Sequence, residues 1–445
     1  MLPEPGNSCV LRDARIVTLD PSLGIVEGDL VVEDGSIAAV GGSMADPPDR
    51  EIDVGGDVVI PGFVQCHIHL CQTLLRGGAD DMALIEWLSE RVWPYEASIT
   101  PKELYVSARV GLAELALSGT TALLDMGTVR GTDAVASAVE ESGLRAIIGK
   151  CMMDRGEGAP DELVEETDAS LARSVEACRR WDGAADGRIG YAFAPRFAVS
   201  CTDALLRDTA RAAEQLGAGI HTHASETQYE NEFTTERFGV RNVPYLNEVD
   251  LCGPDSVFAH GVHVTEDERR LLAETETSVC HCPSSNLKLA SGVADVPALD
   301  RDGVQLGLGA DGAPCNNNLD PFVEMRLAAL IHKPGRGPEA MPARRVLELA
   351  TLDGARALGL EDEVGSIEEG KRADLVVLDL DSDPACAPAA GNVYSRIAYS
   401  AQKSNVRDVF VDGRRVVADG RLVGVDRKEL LDRAQTARRS IAERM

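Results

Sequence analysis

The chain predicts an α/β fold: a (β/α)8 TIM-like barrel carrying a small composite β-sandwich built from both chain ends. Three observations predict it. Strand-like and helix-like segments alternate through the middle of the 445 residues. Histidines and one aspartate recur just after short apolar runs, as ligands delivered to the strand ends of a barrel would. The two ends of the chain share a turn-rich β texture that neither could bury alone.

The first segment, 1–57, reads as short strands in VLRDARIVTLD, GDLVVEDGSIAAVGG and REIDVGGDVV, with period-2 alternation and DG or GG turns. The barrel is expected over 58–368. Its eight strand candidates are VVIPGFVQC, TTALLDMG, LRAIIGKCMM, RIGYAFAPRF, AGIHTHASE, SVFAHGVH, TSVCHCPSSN and VQLGLGAD. Helical patterns such as TPKELYVSARVGLAELALSG, DALLRDTARAAEQLG and TEDERRLLAET stand between them. A doubly wound open sheet would gather ligands at one switch point, whereas here they are spread over strands 1, 5, 6 and 8. The β texture returns over 369–424 in ADLVVLDLD and RDVFVDGRRVVADGRLV, and 425–445 reads as an amphipathic helix.

Acidic residues outnumber basic ones by 73 to 44, a net charge of -29, which argues against nucleic acid or an anionic membrane as partner. The eleven cysteines are scattered, form no CxxC pair and often lie in apolar runs, as buried thiols do. The N-terminal MLPEPGNSC lacks the basic and apolar regions of a signal peptide, and no apolar stretch is long enough to cross a bilayer. A cytoplasmic, reduced protein is expected.

His67-Ile68-His69 is the centre of the functional reading. Residues i and i+2 of a strand point the same way, so both imidazoles reach the barrel mouth together. His221 and His223 follow GAGI, and one of them is a ligand candidate while His221 could orient the site from behind. Glu226, three residues on, suits general acid/base work beside an activated water. His260 in FAHGVH is either a further ligand or a neutral imidazole polarising substrate or hydroxide. Asp311 ends a short apolar strand with no basic neighbour in sequence. His263 and His281 read as supporting residues, and Cys280 and Cys282 as packing. A divalent metal held by imidazoles and a carboxylate brings its water near neutrality, which suits hydrolysis at an electrophilic carbon. Serine or cysteine nucleophile signatures and phosphate-cradling glycine loops are missing.

Taken together, PGFVQCHIHL, HTHASE, FAHGVH, HCPSSNLKL, LGADGAPCNNNLDPFVEMRLA and EVGSIEEGKRADLVVLD resemble the amidohydrolase superfamily, in its aminohydrolase branch, over nearly the whole chain. That branch holds guanine deaminases, adenosylhomocysteine/methylthioadenosine deaminases and s-triazine hydrolases. The resemblance implies one divalent metal, Zn2+ or Fe2+, on His67, His69, His223 and Asp311, with Glu226 and His260 as catalytic partners. Strand 4 ends in Arg196 rather than in the lysine of binuclear relatives, and Lys150 on the preceding strand reads as structural. It also implies hydrolytic deamination, with Asp311 moving the proton of water, Glu226 protonating a ring nitrogen and His260 steadying the attacking hydroxide. The segment RGGADDMALIEWLSERVWPYE resembles the nucleoside-deaminase branch, yet Arg196 in APRFAVSC and Gln72 after the HxH resemble guanine and triazine enzymes.

Gln72, Trp87 and Arg196 are therefore the expected substrate contacts, and Arg196 offers a donor fork for a ring carbonyl. An oxo-aminopurine such as guanine or a hydroxylated aminotriazine is the favoured small heterocyclic substrate. Methylthioadenosine/adenosylhomocysteine-type deamination, triazine dechlorination and an inactive metal-binding scaffold are the alternatives. A homo-oligomer is expected from the habit of such families.

Overall fold

The computed structural model of the chain describes residues 8–42, 47–387 and 391–445. Eight parallel strands succeed one another: β1 (Phe63–His69), β2 (Thr120–Thr128), β3 (Arg145–Met152), β4 (Ile189–Pro195), β5 (Gly219–Ala224), β6 (Ser256–His260), β7 (Ser278–His281) and β8 (Leu306–Leu308, resuming at Asp311–Gly312). Each pairs with the next, and the two halves of β8 join β7 and β1, which closes the barrel. The break in β8 has a steric origin at Gly309, where a Cβ would lie 2.9 Å from His67 N and 2.7 Å from Cys280 Sγ. Only a glycine lets the last strand pass so close to the first.

The expected helices form at Pro101–Leu117, Asp203–Leu216 and Glu266–Glu274. Two of them start at Thr-x-x-Glu capping boxes, Thr100 with Glu103 and Thr265 with Glu268, which satisfy the first free N–H groups. Strand residues alternate between two cores. Ala122, Leu124, Ala192, Val257 and Cys280 pack together inside the barrel, while Leu123, Phe193, Phe258 and Val279 pack against the surrounding helices.

Both chain ends contribute to a second sheet of nine strands. Its order is Arg421–Leu422, Arg414–Ala418, Val406–Val411, Leu375–Leu378, Val58–Pro61, Ser8–Val17, Ile25–Glu33 and Ser36–Val40, with Arg50–Asp53 beside Ser8–Val17. The sheet folds over one apolar cluster that includes Leu11, Leu30, Val59, Leu375 and Phe410. The turns of its outer hairpins meet through Ala373, whose N–H donates to Gly35 O and whose carbonyl accepts from Gly413 N.

Residues 58–66, read from sequence as one barrel strand, divide at Gly62. Val58–Pro61 pairs with Ser8–Val17 and Leu375–Leu378 in the small sheet, and only Phe63 onward enters the barrel. An apolar run buried on both faces looks the same in either sheet, which hides the division. The crossing needs glycine, since a Cβ at residue 62 would lie 2.0 Å from Thr121 Oγ1. The C-terminal β segment also contains short helical turns at Val393–Ser395 and Arg396–Ser400 before its last hairpin. The helix Arg427–Ala442, capped by Asp426, buries Ala434, Ala437 and Ile441 in the cluster that contains Trp87 and Trp93.

Candidate metal and catalytic site

At the C-terminal mouth of the barrel, His67 Nε2 and His69 Nε2 lie 3.2 and 3.4 Å from Asp311 Oδ1. His69 Nε2 is 3.3 Å from His223 Nε2. His67, His69 and His223 offer ligand atoms within 4.8 Å of one another, and so do His67, His260 and Asp311. His67, His69, His260 and Asp311 are buried and His223 half-buried, and burial lowers the pKa of His67, His69 and His223 so that the rings stay neutral.

The tautomers follow from the atoms behind the rings. His223 Nδ1 is 2.6 Å from Arg196 O, a carbonyl that can only accept, so Nδ1 carries the proton and Nε2 presents a lone pair. His67 Nδ1 contacts His221 Nε2 at 2.8 Å, which puts His221 behind the His67 ring. His67 Nε2 is buried and forms no hydrogen bond. Neutral imidazole lone pairs and a carboxylate converging without protons between them repel one another, and a cation removes that repulsion. The donor set fits a divalent metal such as zinc.

Glu226 and His260 stand beside this cluster. His260 Nε2 is 3.4 Å from Glu226 Oε2 and 4.0 Å from Asp311 Oδ2, while its Nδ1 is held at 2.9 Å by Asn286 Oδ1. Burial would lower the His260 pKa, but the two carboxylates more than offset it and raise it. Burial raises Glu226, which favours a carboxylic acid able to give up a proton. Ser225, His260 and Asp311 all have positive φ, at 49°, 78° and 60°, so the strand ends turn sharply where they present these groups.

The expected substrate contacts line a cavity over the cluster. Its wall is apolar, formed by Leu84, Trp87, Leu88, Phe197 and Leu289, and Gln72, Arg196, Glu226, His260 and Asp311 supply its polar atoms. Sequence reasoning missed Glu96 on the helix Trp93–Ser98, although the WPYE stretch was in view. Glu96 accepts from Arg196 at 2.6 and 3.2 Å and from Gln72 Nε2 at 2.9 Å. The guanidinium fork expected to meet a ring carbonyl is therefore engaged by Glu96. Ser285, Asn286 and Ser291 were missed as well. They hold Asp311 Oδ2, His260 Nδ1 and Glu226 Oε1 at 2.6, 2.9 and 3.1 Å.

The remaining histidines separate by place. His263 supports the site, its ring bridging Gln228 and the Ser291 carbonyl. His281 does not join the cluster; its ring neighbours His332 at 5.9 Å, and neither of its nitrogens finds a partner. Alternation explains this, because Cys280 points into the barrel and its neighbour must point out. Lys150 is tied to Glu165 at 2.5 Å and to Ser170 at 3.3 Å, a structural placement.

Residues 58–416 match the model of the amidohydrolase family. Across 98% of both chains the sequence is 38% identical to a 5'-deoxyadenosine deaminase of Methanosarcina acetivorans. It is 40% identical to a 5-methylthioadenosine/S-adenosylhomocysteine deaminase of Desulforudis audaxviator, over 97% of this chain and 99% of that one. The structure superposes on that of an adenosine deaminase from Xanthomonas campestris with bound zinc, with a TM-score of 0.91, 34% identity, and coverage of 99% and 100%.

Proposed function

The chain belongs to the amidohydrolase family and is a hydrolase of C–N bonds in cyclic amidines, and from that premise we propose that it deaminates an adenosine-type nucleoside such as 5'-deoxyadenosine or methylthioadenosine. The observation that carries this choice is whole-length identity of 36–40% to deaminases named for those substrates. The pairing of Arg196 with Glu96 supports it, because it engages the donor fork that, together with Gln72, pointed to an oxo-aminopurine. Gln72 Oε1, buried and without a partner among the described residues beside the cavity, can accept from the amino group of either purine.

In this reading His67, His69, His223 and Asp311 hold zinc, which supplies a Lewis acid that brings the pKa of a bound water toward neutrality. Glu226, protonated through burial, gives its proton to the ring nitrogen as the amidine carbon is attacked. Asp311 takes a proton from the attacking water and returns it to the amino group, which leaves as ammonia. The remaining hydroxyl proton passes to Glu226 as the carbonyl forms, so both carboxylates are regenerated. His260, between them, steadies the oxygen during attack, and the wall from Trp87 to Leu289 excludes bulk water.

Ammonia release from 5'-deoxyadenosine, methylthioadenosine, adenosylhomocysteine, guanine and a hydroxylated aminotriazine tests the assignment. The highest kcat/KM is expected on a 5'-modified nucleoside. Faster turnover of guanine or the triazine reverses the choice, and no ammonia from any of them with metal bound points to the inactive scaffold.

A further inference from the structure

His260 comes from β6 and Asp311 from β8, with β7 between them, so no strand pairing joins the two directly. The turn after β7 does so instead. On the helix Pro283–Lys288, Ser285 Oγ donates to Asp311 Oδ2 at 2.6 Å, and the adjacent Asn286 Oδ1 meets His260 Nδ1 at 2.9 Å. One six-residue element therefore reaches both groups.

What holds that element is Glu324, on the helix Pro321–Ile331. Its Oε2 accepts from Ser284 N at 3.1 Å, and its Oε1 accepts from Ser284 Oγ at 2.5 Å and Asn316 Nδ2 at 2.9 Å. Asn316 Nδ2 also donates to Ala310 O at 2.7 Å, beside Asp311 in the chain. The carboxyl thus grips the Ser285–Asn286 turn with one set of bonds and the β8 crossing with another. Glu324 is 1% exposed, and no cation among the described residues pairs with it. Burial pushes it up to about 7, a cost that its hydrogen bonds only partly offset. Both groups it supports have a left-handed backbone, which must be held from outside.

We propose that Glu324 is a positioning residue that sets His260 and Asp311 relative to each other through the Ser284–Asn286 turn and Asn316. The inference rests on the roles given above to His260 and Asp311. Glu324→Gln keeps the shape but turns one acceptor into a donor facing Ser284 or Asn316, which are donors already.

The test uses the metal-loaded full chain. In Glu324→Gln, kcat is expected to fall about 10- to 100-fold with KM little changed and zinc content retained. The visible spectrum of the cobalt-loaded variant shifts, because Asp311 is re-aimed whatever the substrate. Ser285→Ala costs less in that background than in the wild type, since the same link is already broken. Wild-type kcat and cobalt spectrum in folded Glu324→Gln, or strictly additive losses, overturn the proposal. If Glu324→Gln does not fold, Ser284→Ala removes one grip from the other side. A smaller loss in the same direction, coupled to Ser285→Ala, is then expected, and unchanged kcat overturns the idea. Asp311→Asn separates the two failures: unaltered metal binding and turnover there would mean that the site assignment itself had failed.

Discussion

Charge is buried at both ends of the barrel. At the start of β3, Arg145 lies 2.7 Å from Asp412, 3.2 Å from Glu363 and 3.5 Å from Asp374, and Arg372 reaches the same Asp412 at 2.6 Å. With Arg188 3.9 Å from Asp412, three guanidiniums face three carboxylates there, and the cluster ties the barrel to the small sheet. At the mouth, His67 Nε2 and Gln72 Oε1 have no hydrogen-bond partner among the described residues, and three residues at the strand ends have positive φ. A saturated cluster holds two parts of a molecule together, whereas one with open valences is arranged for something that must come in.

The largest effect that tests this contrast is expected from Asp311→Asn, which keeps the volume but removes the charge facing three imidazoles. Metal content measured by emission spectroscopy falls, and ammonia release drops on the order of 10⁴-fold. Next comes Glu226→Gln, which retains the metal but loses turnover by about 10³-fold; unimpaired turnover would sink the role given to Glu226. Arg145→Met tests the other end. Buried Asp374 loses its cation while Asp412 keeps Arg372, so denaturant unfolding is expected to show a loss of about 3–5 kcal/mol, with kcat per folded molecule unchanged. A loss of kcat there would erase the distinction between the two ends.

The smallest effect concerns Glu230, behind Glu226, whose carboxyl is raised by burial first and then by Glu226, to about 7 from 4.5. The unfolded state releases this proton near 4.5 and the folded state near 7, so the residue subtracts stability progressively as pH rises between those values. Glu230→Gln is therefore neutral below about pH 4 and stabilising above pH 7, by at most about 3 kcal/mol in unfolding measurements. A gain independent of pH would show that the residue acts through packing instead.

The sequence exposed those parts of the site that ride on strands. His67, His69, His223, His260 and Asp311 each follow an apolar run, but a period of two does not set the direction of His260, which a positive φ turns from the outward face of Phe258. Their partners were hidden because they arrive from remote helices with no local pattern. Glu96 is one acid in an ordinary amphipathic stretch, and Ser285, Asn286 and Ser291 read as a polar turn. The barrel was legible through its alternation, while the division at Gly62 was not, although the Pro-Gly dipeptide marked the place. His281 shows the limit of residue type as a guide: its strand position was correct, but the face was the outer one.

The helix Arg427–Ala442 leaves the ribosome after every barrel strand, yet Ala434, Ala437 and Ile441 back the cluster holding Trp87, Leu88, Phe197 and Leu289. That cluster is therefore completed only once the last helix has been made and has docked on Pro101–Leu117 and Leu70–Leu75.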